Sequence, residues 1–429
     1  MKKFLILAAL SAVLLSCGGN REQILKVYNW SDYIDESVLP EFEEWYKAQT
    51  GEDIKVVYQT FDVNETMLSK IEKGHEDYDV VCPSDYIIER MLNAGLILPL
   101  DFASIPDEIN YIALNRSPFM QQMFHDINPA IDANDYSVPY MWGTTGIIFN
   151  TEEVTYEEAS TWDVIRNPKF AGQILIKDAP RDVYGPVLIY LKQKELKEGT
   201  VTLDDLMRDS SDESIAAVEN YLRQVKDGVL GWEADFGKDQ MTKGRGVISL
   251  NWSGDAVWAR DEAAEVGVSL DYIVPEEGST VWFDGWVIPK YAQNIKAATY
   301  FIDFMCRPDI AIRNMEETGY VSANGAIEVL ESQIDEDQDP IDVSYFFPGA
   351  DRVRVDPVLY PDKAVIERCA LEHDWGKDTD KLLAMWSRVK GDNASSMTYV
   401  VIVLALAAIA AAVIFGNKSK KHRRKSHKK

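Results

Sequence analysis

The sequence predicts an α/β protein of two lobes, carried between two membrane-directed ends. Three observations predict it. Short apolar strands alternate with helical stretches along the chain. About 380 residues separate the ends, more than a single core usually organises. Each end carries an apolar run of its own next to basic residues.

The strands and helices alternate from the start. Ile24-Leu25-Lys26-Val27-Tyr28-Asn29-Trp30 reads as a strand, and Phe42, Trp45 and Tyr46 then fall at helical spacing. Ile54-Lys55-Val56-Val57-Tyr58 alternates as a strand does, and a helix is predicted from Asn64 through Met67, Leu68 and Ile71. Asp79-Val80-Val81-Cys82-Pro83-Ser84 reads as a buried strand that ends in a turn. Such a series implies parallel pairing through crossover helices. It resumes with apolar segments at 147–149, 174–176 and 247–250, among helices predicted around 162–165, 187–191 and 215–225. No fixed-period repeat is present. Residues 331–357, rich in Asp and Pro, predict a surface excursion.

At the first end, Met1-Lys2-Lys3 precedes an apolar run from Phe4 to Leu15, the form of a signal peptide. Leu14-Leu15-Ser16-Cys17-Gly18 follows in the manner of a bacterial lipobox, so Cys17 is the expected lipidation site and residues 1–17 the leader. At the other end, 397–415 is a charge-free run of nineteen residues, about 28 Å as a helix. Residues 416–429 add eight Lys and Arg. A transmembrane helix with a cytoplasmic tail is expected, joined to the lobes by a linker at 391–396.

The chain holds 44 basic and 70 acidic residues. Without the two leader lysines and the eight tail cations the balance is 34 to 70, a net of −36. Such a domain repels nucleic acid and attracts cations, so no nucleic-acid partner is expected. Besides Cys17 only Cys82, Cys306 and Cys369 occur, an odd number with no metal-binding spacing. No phosphate loop, nucleophile elbow, zinc-protease motif or dinucleotide fingerprint is present, so no catalytic residue, metal ligand or cofactor is expected. Two of the many carboxylates could still serve glycoside hydrolysis.

The distinctive pattern is aromatic residues beside carboxylates where strands should end. It occurs in Tyr28-Asn29-Trp30-Ser31-Asp32-Tyr33, Pro83-Ser84-Asp85-Tyr86, Asn251-Trp252-Ser253-Gly254-Asp255 and Trp282-Phe283-Asp284-Gly285-Trp286. Ligands of open α/β sheets sit at carboxyl ends of strands. Aromatic faces attract ammonium groups, each worth roughly 0.5–2 kcal/mol, and a carboxylate adds a charge-assisted hydrogen bond. The combination suits an alkylammonium.

These segments, with Asn64-Glu65-Thr66-Met67, Val138-Pro139-Tyr140-Met141-Trp142-Gly143 and Thr318-Gly319-Tyr320, form an ordered series. Over residues 24–390 it resembles the periplasmic spermidine/putrescine-binding proteins of polyamine ABC transporters. The resemblance implies a two-lobed periplasmic binding protein fold of type II with the ligand cleft between the lobes. Lobe 1 would comprise 22–138 and 286–330, and lobe 2 would comprise 139–285 and 331–390, with hinge crossings near Tyr140 and Trp282. By the same resemblance Trp30, Ser31, Asp32, Tyr33 and Tyr86 would line the cleft from lobe 1. Trp252 and Trp282 would flank the ligand chain, Asp284 would hold an ammonium, and Tyr320 would touch the ligand near a hinge. The family's acidic pair falls on Asp178 and Asp182, where Asp178-Ala179-Pro180-Arg181-Asp182 is one residue longer than usual, so either carboxylate could face the cleft.

The expected function is therefore a non-enzymatic receptor on the periplasmic side of the inner membrane. It would deliver a polyamine to an ABC transporter permease. A binding protein of the same fold for a sugar or a metal is the alternative, and a surface glycoside hydrolase is a further one.

Overall fold

A computed structural model describes residues 21–391 apart from Pro129, Ala234 and Asp235. Cys17, the leader, residues 392–396 of the linker, the helix expected at 397–415 and the basic tail lie outside the described residues. Among the described residues no helix is long and apolar enough to cross a membrane.

The chain runs β1 (Ile24–Trp30), α1 (Val38–Thr50), β2 (Lys55–Phe61), α2 (Asn64–Glu72), β3 (Val80–Val81), α3 (Asp85–Asn93) and α4 (Pro118–Ile127). Next come β4 (Ser137–Asn150), β5 (Ile174–Lys177), α5 (Pro180–Leu191), α6 (Asp212–Val225), β6 (Val229–Glu233), β7 (Ile248–Trp252) and α7 (Ser253–Glu265). Then follow β8 (Leu270–Ile273), β9 (Ser279–Val287), α8 (Ile295–Met305), α9 (Pro308–Thr318) and β10 (Val321–Ser322). The series ends with β11 (Pro340–Ile341), β12 (Val353–Arg354), β13 (Cys369–Leu371) and α10 (Thr379–Gly391).

Local chemistry sets these elements. In α1 the buried Val38, Leu39, Phe42 and Tyr46 fall on one face, and Gly51 ends the helix at φ 75° with its N–H on the Lys47 carbonyl. Ile87, Ile88, Met91 and Leu92 give α3 its apolar stripe. The expected helix at 162–165 is a 3-10 turn, Trp162–Arg166. Thr161 caps it through the Asp163 N–H, and Pro168 restrains the preceding Asn167 to an extended backbone, which ends the turn before a second one opens at Pro168–Phe170.

The main path of the sheet is β2-β1-β3-β9-β4-β7-β5-β6. The β2-β1-β3 group is parallel, and so is β7-β5-β6. The long strands β4 and β9 join the two groups. β4 pairs antiparallel with β9 from Ser137↔Val287 to Thr144↔Val281, then with β7 from Thr145↔Trp252 to Phe149↔Ile248. The β4–β9 ladder shifts register between Pro139 and Met141. Apolar side chains cover both faces of each half. Leu25, Val27 and Trp286 pack towards α1 and α8, whereas Tyr28, Val81 and Phe283 pack towards α3 and α4. Ile147, Phe149 and Ile176 join α5, α6 and α10, whereas Ile148 and Leu175 join α7. The result is a two-lobed α/β protein whose halves share one sheet.

Residues 331–357 are not a plain surface excursion. Val343, Phe346, Phe347 and Val355 are almost fully buried, and Phe346 stacks on Trp142 at 5.2 Å. Val358 packs with Ala256 and Ala259 of α7, and Asp356 pairs with Arg260. This stretch therefore lies across the junction of the two halves, a departure from the expectation that all of 331–390 joins lobe 2. Its Asp and Pro residues suggest solvent, but the apolar residues between them anchor it.

Candidate binding cleft

The carboxylate of Asp284 is the centre of the site. β9 carries it opposite Met141 and bridged to Ser84, at the start of α3. Its oxygens accept hydrogen bonds from Tyr33 Oη at 2.7 Å and Ser84 Oγ at 2.6 Å, and the residue is 6% exposed. Burial pushes its pKa up to about 6; the two hydroxyls oppose the shift, and the nearby Asp182 adds to it. Trp30 stands near enough for its indole N–H to favour the ionised form, without a hydrogen bond of ordinary geometry.

Aromatic rings run from this carboxylate towards the other half. Tyr33 meets Tyr320 edge-on at 5.3 Å, Tyr320 meets Trp282 at 5.7 Å, and Trp282 meets Trp252 at 6.3 Å. Two glycines permit this approach. A Cβ on Gly143 would stand 2.6 Å from the Trp282 ring, and one on Gly254 would enter the Tyr320 ring.

Beyond Trp252 the polar groups are arranged in two sets. Its indole N–H donates to Asp182 Oδ1 at 2.7 Å, in the first turn of α5. Burial raises the Asp182 pKa. On the other side, Lys177 Nζ stands 2.7 Å from Asp255 Oδ2, and Tyr320 Oη donates to Asp255 Oδ1 at 3.0 Å. Arg181 lies 4.2 Å over the Tyr86 ring and donates to the His373 carbonyl at 2.7 Å. Asp85 and Glu372 complete the group, each buried and each with its pKa well above the carboxylate range, through burial and neighbouring acids. Asp85 Oδ2, Glu372 Oε1, Trp30 Nε1 and Trp282 Nε1 are buried without hydrogen-bond partners. Unpaired buried polar atoms concentrated in one place are what a polar ligand would satisfy.

Of the residues expected to line the cleft, Trp30, Tyr33, Tyr86, Asp182, Trp252, Trp282, Asp284 and Tyr320 come together here. Three do not. Ser31 and Asp32 are exposed in the turn after β1, where Ser31 Oγ donates to Asp62 and Asp32 takes a left-handed φ of 52°. Asp178 turns away to α10, accepting from Trp386 Nε1 at 2.7 Å and pairing with Lys390. Of the two carboxylates the sequence left open, Asp182 stands at the cleft beside Trp252 and Asp178 does not. Trp282 and Asp284 also lie inside β9 and not after it. Ser84, Asp85 and Asp255 belong to the aromatic and acidic segments marked in the sequence, whereas Lys177, Arg181 and Glu372 lie outside that pattern. Lys177, a lone charge closing an apolar strand at its carboxyl end, was the signal available; Glu372 carried none.

The cleft closes through a second set of contacts. Arg90 of α3 donates to Asp374 Oδ1 at 2.6 Å and Thr379 Oγ1 at 2.6 Å. Glu89 accepts from the Asp374 N–H at 2.7 Å and meets His373 Nδ1 at 3.2 Å. Trp375, in the same segment, packs in the core of the second half. These bonds therefore tie one half to the other.

A shared sheet, two halves and a buried aromatic and acidic cluster between them are the frame of a two-lobed solute-binding protein. The model of the bacterial extracellular solute-binding protein family matches residues 41–338, and the chain belongs to that family. It is 29% identical over 382 residues to the spermidine/putrescine-binding periplasmic protein of Escherichia coli, covering 88% of this chain and 95% of that protein. It is 30% identical over 341 residues to the putrescine-binding periplasmic protein PotF of the same organism, covering 76% and 85%. Among solved structures, the substrate-binding protein PotD of a Streptococcus pneumoniae spermidine/putrescine ABC transporter is 28% identical. It superimposes with a TM-score of 0.63 over 86% of this chain and 98% of that one. Nothing in the family or the site points to catalysis.

Proposed function

We propose that this protein is the extracytoplasmic receptor of a polyamine ABC transporter. The observation that carries the reading is Asp284, a buried carboxylate under a chain of aromatic rings that joins the two halves. A linear alkylammonium meets both demands, because its methylenes lie along the rings and its charged end reaches the carboxylate. A neutral sugar could use the rings but would leave the acids uncompensated. The relatives' names support the same ligand class. The test is calorimetric titration of the purified protein with putrescine, spermidine and butylamine. Saturable binding of a polyamine, with butylamine far weaker, is expected. No heat with either polyamine from a folded, ligand-free preparation overturns the reading.

The proposal extends to location. A lipid on Cys17 and the 397–415 helix would hold both ends of the receptor in the inner membrane beside its permease, raising its local concentration there. Mass spectrometry of the mature N-terminus, with membrane fractionation, tests it. An unmodified Cys17 or an outer-membrane location refutes the double anchor and leaves the ligand reading intact.

A further inference from the structure

Lys177 closes β5 with its side chain only 2% exposed. Its ammonium lies 2.7 Å from Asp255 Oδ2, 3.7 Å from Glu233 Oε1 and 4.1 Å from the centroid of the Trp252 ring. An ammonium on an indole face with a carboxylate beside it is the arrangement argued above for the ligand. Here the chain itself provides the cation.

The acids around it are engaged by internal donors. The second oxygen of Asp255 accepts from Tyr320 Oη, and Lys238 Nζ stands 3.9 Å from it. Glu233 accepts from Asn251 Nδ2 at 3.1 Å and from the Gly237 N–H at 2.9 Å. The indole N–H of Trp252 is spent on Asp182. On the Asp182 side of Trp252 the situation is reversed: Asp85 Oδ2 and Glu372 Oε1 are buried and unpartnered. Acceptor capacity for a ligand cation thus lies at Asp284 and around Asp85, Asp182 and Glu372, and the Trp252–Asp255 end already holds one.

We propose that Lys177 is a specificity-determining residue, a built-in ammonium that fills the Trp252–Asp255 end of the cleft and makes the site select a diamine over a triamine. The inference rests on the polyamine reading. A third ligand ammonium placed at that end meets a like charge in an enclosed setting, and no carboxylate there is left to receive it.

The test compares putrescine and spermidine by calorimetry on the full protein in detergent. The unaltered protein is expected to bind putrescine at least tenfold more tightly than spermidine. In Lys177→Met, which keeps the bulk and removes the charge, the ratio should move at least tenfold towards spermidine. Lys177→Arg should keep the diamine preference. Because Lys177→Met strands two buried acids and can fail to fold, Lys177→Met/Asp255→Asn is measured beside it and should shift the ratio in the same direction. A spermidine preference in the unaltered protein overturns the inference, and so does an unchanged ratio in either folded methionine variant. Failure of the unaltered protein to bind any polyamine defeats the reading beneath it instead.

Discussion

Asp284 bears the strongest consequences for single substitutions. Removing its charge leaves a buried ligand ammonium without its partner, so Asp284→Asn should weaken polyamine binding by about 2–5 kcal/mol. Asp182→Asn should weaken it less, since the Trp252 indole already engages one of its oxygens. Asp178→Asn should leave the affinity nearly unchanged, because that side chain is committed to α10. Calorimetry on the three variants orders them, and equal losses at Asp284 and Asp178 would contradict the site. The Asp284 pKa of about 6 also fixes a pH dependence. Its folded value lies above its ordinary one, so the charge is present above pH 6 and disappears as the pH falls through that value. Only the charged form holds an ammonium; affinity should therefore drop below pH 6, by up to about tenfold per unit for a single proton. A flat binding profile from pH 7.5 to 5 would exclude Asp284 as the ligand's partner. The aromatic and acidic pairing made this residue legible from the sequence. Glu372 was not legible, because its place beside Asp85 and Asp182 depends entirely on how the C-terminal segment folds back.

At the level of elements, β9 was the hardest to read. All nine of its positions are buried, so no alternation marks which face a residue takes, and the Trp-Phe-Asp cluster passes for a loop after a strand. The parallel strands β1, β3, β5 and β7 were plain because short apolar runs bounded by turns have few other solutions. α3 supplies an element-scale prediction. Its Arg90 and Glu89 hold the segment 373–379 across the cleft, with Arg90 and Asp374 largely buried. Arg90→Ala should therefore speed ligand release, on the order of tenfold, with little change in association. Stopped-flow fluorescence measures both rates. A slower association with unchanged release would show that the contact serves folding and not closure.

For the whole molecule, charge is the dominant property. The 34 basic against 70 acidic residues between the two basic ends give the lobes a field that draws in cations. Association with a polyamine should slow as ionic strength rises from 20 to 300 mM, because the Debye length shrinks over that range from about 20 to 6 Å. Release, governed by enclosed contacts, should change far less. A salt-independent association rate would mean that the acidic surface serves another purpose. The two-lobe division followed from length and the alternation of elements. The placement of 343–366 across the junction did not, since tertiary burial overrode a polar composition.

The insertion of β9 between β3 and β4 governs how the chain can be made. A polypeptide leaves the ribosome, or threads through a secretion pore, amino end first. Without Ser279–Val287, β3 and β4 face each other across a missing strand, and the first half is an incomplete sheet with an exposed edge. The early two-thirds of this protein therefore has no finished lobe to fold into while it is in transit. Both halves should therefore be completed only once the late segment arrives, a delay that would suit a chain exported unfolded.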